Sequence, residues 1–294
     1  MEILFEVKNS TGVITLNRPK ALNALNLNMA IQFLDKLKEW ENDNKVERVL
    51  LLGEGKHFCA GGDVKSVHLS GSFSELKREF FSIEYSLNLQ IKNFPKPYLS
   101  VWQGVVMGGG VGLSIYGDYR IATDSTKFAM PETSIGFFPD VGGSFFLSRI
   151  ENNIGKYLGL TGELIQSKDL LNFGLATHFC PENKLESLIN QYILDGSIVS
   201  HEIETTSSFS EDKLDFINKN FTGDIYEIFK KITAKKNQDN LLDRLQSKCP
   251  MSLAVTALLI NNSFNRNLKE CLEIEYRLSQ KMVNRHDFGE GIKT

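Results

Sequence analysis

Twice in this chain an apolar strand stops at a glycine loop. Val49-Leu50-Leu51-Leu52 runs into His57-Phe58-Cys59-Ala60-Gly61-Gly62-Asp63. Tyr98-Leu99-Ser100-Val101-Trp102 runs through Gly104 into Met107-Gly108-Gly109-Gly110-Val111-Gly112. The unbroken run 49–52 suits a strand covered on both faces, where neither side meets water. The repeated order of strand, glycine loop and helix start points to a layered α/β fold with both loops at one end of a parallel sheet. Ligands bind at that end.

The rest of the pattern fits this frame. Residues 3–8 and 12–16 read as two strands around the turn Asn9-Ser10-Thr11. Asn17-Arg18-Pro19-Lys20 ends them, because proline cannot continue a central ladder. Met29, Ala30, Phe33, Leu34, Leu37 and Trp40 predict an amphipathic helix over 27–40, with Asn26 as N-cap. Leu76, Phe80, Ile83, Leu87 and Ile91 predict another over 74–94. Glu84 lies at the edge of that stripe, where it either reaches to solvent or faces a pocket. Residues 118–124 read as a strand, and 141–150, 154–160, 167–173 and 184–194 as helices. Past residue 195 glycine nearly vanishes and helical patterns take over, at 225–235, 241–248, 251–262 and 268–282. The expected organisation is an α/β core carrying the active site over 1–195, then a mainly helical region over 196–294 that begins with a connector at 197–210.

Of the 294 residues 41% are hydrophobic, so a sizeable core can be buried. The net charge of −3 gives no sign of a nucleic-acid footprint, which usually shows as a basic stripe. No apolar run approaches the roughly 18 residues of a membrane helix. Cys59, Cys180, Cys249 and Cys271 form no C-x-x-C pair and read as buried thiols in a reducing compartment. The five histidines do not cluster with them, so no metal site is expected. The first six residues carry two acids, and no signal or transit pattern follows. The expectation is a soluble cytoplasmic protein.

Two features carry chemistry. Gly108-Gly109-Gly110 stands at a helix start, where backbone N–H groups lack partners and the dipole favours negative charge. With the N–H of Gly62 this would make a two-donor oxyanion hole. Close packing of a glycine-faced helix explains the same residues, and from sequence the two readings stand level. Glu132 and Asp140 each follow a proline and are separated by apolar Gly136-Phe137-Phe138. Desolvation there would raise a carboxyl pKa towards a useful value for acid–base work. The competing reading makes each a helix cap, most readily Asp140 before Val141. Asp118 and Arg120 read as a structural pair at a strand edge. No G-x-S-x-G or thiol-enzyme signature competes, and the glycine triplet lacks the lysine of a phosphate loop.

Together, residues 12–25 (GVITLNRPKALNAL), 58–63 (FCAGGD), 107–113 (MGGGVGL), 128–136 (FAMPETSIG) and 138–143 (FPDVGG) resemble the crotonase, or enoyl-CoA hydratase/isomerase, superfamily. Residues 275–280 (EYRLSQ) and 286–288 (HDF) extend the match, which is nearest to the 3-hydroxyisobutyryl-CoA hydrolase branch. The resemblance implies a spiral of ββα units that binds a CoA thioester between the two glycine loops. Gly62 and Gly109 match the oxyanion donors, Glu132 the catalytic glutamate and Asp140 its partner acid. Glu84, Gly109, Glu132 and Asp140 match substrate contacts. Lys20, Ala21 and Leu22, with Ala60, Gly61, Gly62 and Asp63, match the stretches lining the CoA path.

A hydratase of this family carries a glutamate two residues after the glycine triplet. Here that place is Gly112, so two-glutamate water addition lacks a partner. The resemblance therefore implies thioester hydrolysis, most directly of 3-hydroxyisobutyryl-CoA in valine breakdown. No cofactor is implied beyond the CoA of the substrate, and no nucleic-acid or membrane partner. A homo-oligomer is compatible with it. Two alternatives remain: a hydratase or isomerase, and a non-catalytic member that binds acyl-CoA or protein. The hydrolases it resembles continue for several tens of residues past the point matching Gly291-Ile292-Lys293-Thr294. That further segment is implied to cover the CoA nucleotide and to pack subunits.

Overall fold

The computed structural model describes residues 1–203, 206–235 and 239–293. In chain order it begins β1 (Ile3–Lys8), β2 (Thr11–Leu16), α1 (Leu27–Glu41), β3 (Arg48–Gly53), α2 (Val64–Leu69), α3 (Glu75–Asn93), β4 (Tyr98–Trp102), β5 (Val105–Met107), α4 (Gly109–Gly112) and β6 (Tyr119–Ala122). It continues with β7 (Lys127–Ala129), α5 (Gly143–Leu147), α6 (Ile154–Thr161), β8 (Ile165–Gln166), α7 (Ser167–Asn172), β9 (His178–Phe179) and α8 (Glu182–Asp195). The helices α9 (Glu211–Asn220), α10 (Ile225–Thr233), α11 (Asp239–Gln246), α12 (Pro250–Ser263), α13 (Leu268–Met282) and α14 (His286–Lys293) complete it. Residues 204 and 205 of the expected connector lie outside the described residues. Its described part carries no helix or strand.

Two compact units are present, each built from three stretches of chain. The first comprises Met1–Asp63, Ser82–Phe128 and Leu164–Ser207. Its sheet has the order β1-β2-β3-β4-β6-β9. β1 and β2 form an antiparallel hairpin whose turn residues, Asn9 and Ser10, have φ of 45° and 61°. Those left-handed values match the twist a two-residue hairpin needs. From β2 onward every pairing is parallel. β4 is buried along its whole length, as a strand covered on both faces must be. Leu185, Leu188 and Tyr192 of α8 pack on Val13, Leu50, Leu99, Val101 and Ile121 of the sheet. A small second sheet has the order β5-β7-β8.

The second unit comprises Val64–Phe81, Ala129–Glu163 and Ser208–Thr294. It is mostly helical. α12 packs on α5 and α6, α13 on α5, and α14 on the turn that begins at Glu132. Among the described residues no helix is long and apolar enough to cross a membrane.

Where short elements depart from the sequence reading, the backbone gives the reason. The helix expected over 141–150 shrinks to α5, because Val141 and Gly142 take left-handed φ of 51° and 79°. The helix opening at the glycine triplet is only the four residues of α4. Three of them are glycine, each about 1 kcal/mol worse than alanine in a helix. Asp118 and Arg120 do not form a direct ion pair among the described residues. Asp118 accepts the amide of Tyr98 at 2.9 Å, while Arg120 donates to the carbonyls of Leu175 and Gly117.

Candidate active site

In the first unit, backbone bonds join the two glycine loops. Cys59 N donates to Val105 O and Met107 N to Cys59 O, both at 3.0 Å. On the other edge Leu25 N donates to Gly61 O and Asp63 N to Leu25 O, both at 2.8 Å. This parallel bridge uses the oxygen of Gly61 and the amide of Asp63, so the Gly62 amide between them points away from it. Gly109 is the first residue of α4, where amides have no partner within the helix. Among the described residues, neither the Gly62 nor the Gly109 N–H donates to a backbone oxygen.

The space around Gly109 is narrow. A Cβ there would lie 2.5 Å from Glu84 Oε1 and 3.0 Å from Gly62 N. Only glycine lets these groups come together. Gly110 has a different reason, since its Cβ would meet Cys59 O at 2.5 Å. Close approach therefore accounts for both residues, to the Cys59 backbone at Gly110 and to Glu84 and the Gly62 amide at Gly109. Glu84 is only 2% exposed, so it turns inward from α3 rather than reaching to solvent.

The segment holding Lys20, Ala21 and Leu22 is tied to the first glycine loop. Ala60 N donates to Leu22 O at 3.0 Å, and Arg18 Nη2 to Asp63 Oδ2 at 3.1 Å. The buried Asn23 side chain donates to Glu54 O and His57 O. Lys20, Ala21 and Leu22 themselves are exposed. The thiol of Cys59 in the same loop is buried and donates to Asn23 O at 3.1 Å. Burial pushes its pKa up to about 12, which makes it inert as a nucleophile. Of the four free cysteines three are buried and Cys249 is half-buried.

The second unit carries the paired carboxylates. Glu132 opens a 3-10 turn, Glu132–Ile135, closed by Gly136 in the left-handed region. It is 6% exposed, and its Oε2 is buried without a hydrogen-bond partner. Burial pushes its pKa well above the usual carboxylate range, and the charge of Asp140 pushes the same way. The turn leads into Phe137, whose ring stacks on Phe138 at 4.6 Å and on Phe81 at 5.5 Å. A Cβ on Gly136 would lie 2.5 Å from the Asp287 backbone, so α14 sits directly on this turn.

Asp140 is as buried as Glu132. It does not cap the following helix, as the sequence allowed. The N-cap of α5 is Gly142, and the carboxylate bonding the helix start is Glu275 of α13. Gly142 N donates to Glu275 Oε2 at 2.7 Å, and Ser144 N to Oε1 at 3.0 Å. Sequence reasoning gave Glu275 no role. The signal was there: it occupies the buried stripe of α13 with Leu268, Cys271, Leu272, Ser279 and Met282. Among the described residues, no group of three His, Cys, Asp or Glu side chains could hold a metal ion.

A family model described as enoyl-CoA hydratase/isomerase matches residues 11–294. The chain belongs to that family. Among family relatives, the 3-hydroxyisobutyryl-CoA hydrolase, mitochondrial, of Danio rerio is 40% identical over 99% of this chain and 81% of its own length. The protein of the same name from Homo sapiens is 38% identical over the same shares. Solved enoyl-CoA hydratase/isomerase relatives share the crotonase fold. A carnitinyl-CoA dehydratase from Mycobacterium thermoresistibile has a TM-score of 0.93 and 35% identity, covering 99% of this chain and 88% of that one. An enoyl-CoA hydratase from Rhodobacter sphaeroides has a TM-score of 0.94 and 34% identity, covering 100% and 88%. The cytoplasmic expectation is corrected by these relatives, since both hydrolases are named mitochondrial.

Proposed function

We propose that this family member hydrolyses a CoA thioester, namely 3-hydroxyisobutyryl-CoA, to 3-hydroxyisobutyrate and free CoA. The observation that carries the proposal is Glu132: a buried carboxyl with one unpartnered oxygen and a raised pKa beside a second buried acid. Such a group is a stronger base than an exposed glutamate, able to take a proton from water or to attack a carbonyl carbon itself. The amides of Gly62 and Gly109 are the donors assigned to the thioester oxygen, which gains negative charge as the carbon becomes tetrahedral. Water's oxygen bonds to that carbon, either directly as Glu132 takes its proton or in a second step that hydrolyses the anhydride formed with Glu132. The carbon–sulfur bond breaks, and the sulfur leaves as CoA thiol with a proton derived from water. Asp140 orients Glu132 or the attacking water, and Glu84 contacts the substrate. Lys20, Ala21 and Leu22 are assigned to the CoA path, with Ala60, Gly61, Gly62 and Asp63. The names of the relatives from Danio rerio and Homo sapiens support the choice of acyl group, and valine breakdown is where such a thioester arises.

Hydration or dehydration of an enoyl-CoA is the second reading, favoured by the names of the solved relatives, a carnitinyl-CoA dehydratase and an enoyl-CoA hydratase. Gly112 argues against it, because α4 offers no carboxylate there to share the work with Glu132. The test is free-thiol release from 3-hydroxyisobutyryl-, isobutyryl- and 3-hydroxypropionyl-CoA, run beside loss of enoyl absorbance from crotonyl-CoA. Thiol release is expected to be fastest with the first. Hydration of crotonyl-CoA without thiol release would assign the second reading instead.

A further inference from the structure

We infer that Glu275 is a positioning residue for the reaction, holding the turn 140–144 so that Asp140 stands beside Glu132. This rests on the hydrolase reading and deepens it. The turn is held by three bonds to one side chain. Gly142 N donates to Glu275 Oε2 at 2.7 Å, Ser144 N to Oε1 at 3.0 Å, and Ser144 Oγ to Oε1 at 2.6 Å. The intervening amide, Gly143 N, donates to the carbonyl of Asp140 at 2.7 Å. The first three amides after Val141 are thus all satisfied, two of them by Glu275.

This turn needs holding. Val141 sits in the left-handed region at φ 51°, which a β-branched residue adopts only under constraint from its surroundings. Gly142 follows at φ 79° and has no side chain with which to cap α5. A carboxylate reaching in from α13 fills the place a local Ser or Asp would ordinarily take. Asp140 is consequently spared the capping role, and its charge acts on Glu132. Glu275 is fully buried. Burial pushes its pKa up to about 8, and the charge of Asp140 adds to the rise. The three acids form one electrostatic group, with Asp140 felt by both of the others.

Glu275→Gln tests this with little change of shape. An amide has one acceptor oxygen, so either Gly142 N or Ser144 N faces an NH2 group and loses its bond. The expected result is a fall in kcat of roughly 10- to 100-fold, as misplacement of a catalytic group by about 1 Å produces. KM should change by much less than kcat, because Glu275 itself is given no contact with the substrate and the interaction it supports is one made in the transition state. Ser144→Ala, which removes one bond of three, should lower kcat by a few-fold with KM unchanged. Either variant turning over at the wild-type rate would overturn the inference, whatever its melting temperature, since a purely structural residue would lower stability and leave kcat alone.

Amide hydrogen exchange probes the same contacts without relying on turnover. Protection of the Gly142 and Ser144 amides should fall in Glu275→Gln relative to wild type. Unchanged protection would overturn the inference even if the wild-type chain released no thiol. Absence of wild-type thiol release would sink only the functional proposal, so the two failures are distinguishable.

Discussion

In the proposed reaction Glu132 needs its charge to act as a base or nucleophile, and its surroundings oppose that charge. kcat/KM should therefore rise with pH through a limb lying above the usual glutamate range of about 4.3. Asp140→Asn removes the smaller of the two causes that raise Glu132, desolvation being the larger. In that variant the rising limb should move to lower pH without reaching the ordinary value, as a pH–rate profile would record. At Gly109 an alanine Cβ would press on Glu84 Oε1 and Gly62 N. Gly109→Ala should lower kcat by about 100-fold, the cost of misaligning the proposed oxyanion donor. The burial of Glu132 and Asp140 was legible in the sequence because apolar residues lie between them. Glu275 was not, because the amides it binds lie more than 130 positions away. Only its place in an apolar helical stripe hinted at burial.

Among the elements, length decided what could be read. The spacing of apolar residues predicts 27–40 and 268–282, and α1 and α13 run Leu27–Glu41 and Leu268–Met282. Fifteen residues give several turns of periodicity to count. α2, α5 and α14 are too short for that, and α14 contains Gly289 and Gly291. Gly291 is there for packing, because its Cβ would lie 2.5 Å from the Ile135 backbone. The N-cap of α1 gives a clean test away from the site. The Asn26 side chain accepts the Met29 amide at 2.9 Å. Asn26→Ala should lower unfolding free energy by about 1 kcal/mol in urea denaturation and leave kcat unchanged.

Across the whole molecule, the centre of the sheet was legible because β3 and β4 are apolar runs that lead into glycine loops, whereas β5, β7, β8 and β9 are too short to leave a pattern. The assembly of each unit from three separated stretches was not, since nothing local marks residues 64–81 and 129–163 as partners of the C-terminal helices. Buried acids also set how stability responds to pH. Glu275 is raised from 4.5 to about 8, so the folded state holds a proton that the unfolded state has released between those values. Its contribution is fully present below the unfolded value and is lost as pH rises through about 8. Glu275→Gln carries no such proton. The stability of wild type relative to this variant should therefore decline as pH rises through that window, as paired urea titrations would show. Most direct for the account as a whole is free-thiol release from 3-hydroxyisobutyryl-CoA by wild type and Glu132→Gln, assayed side by side. Steady release by wild type, and a loss of about 10³-fold or more in the variant, is expected from removing the acting carboxylate. Equal rates in the two proteins would contradict it.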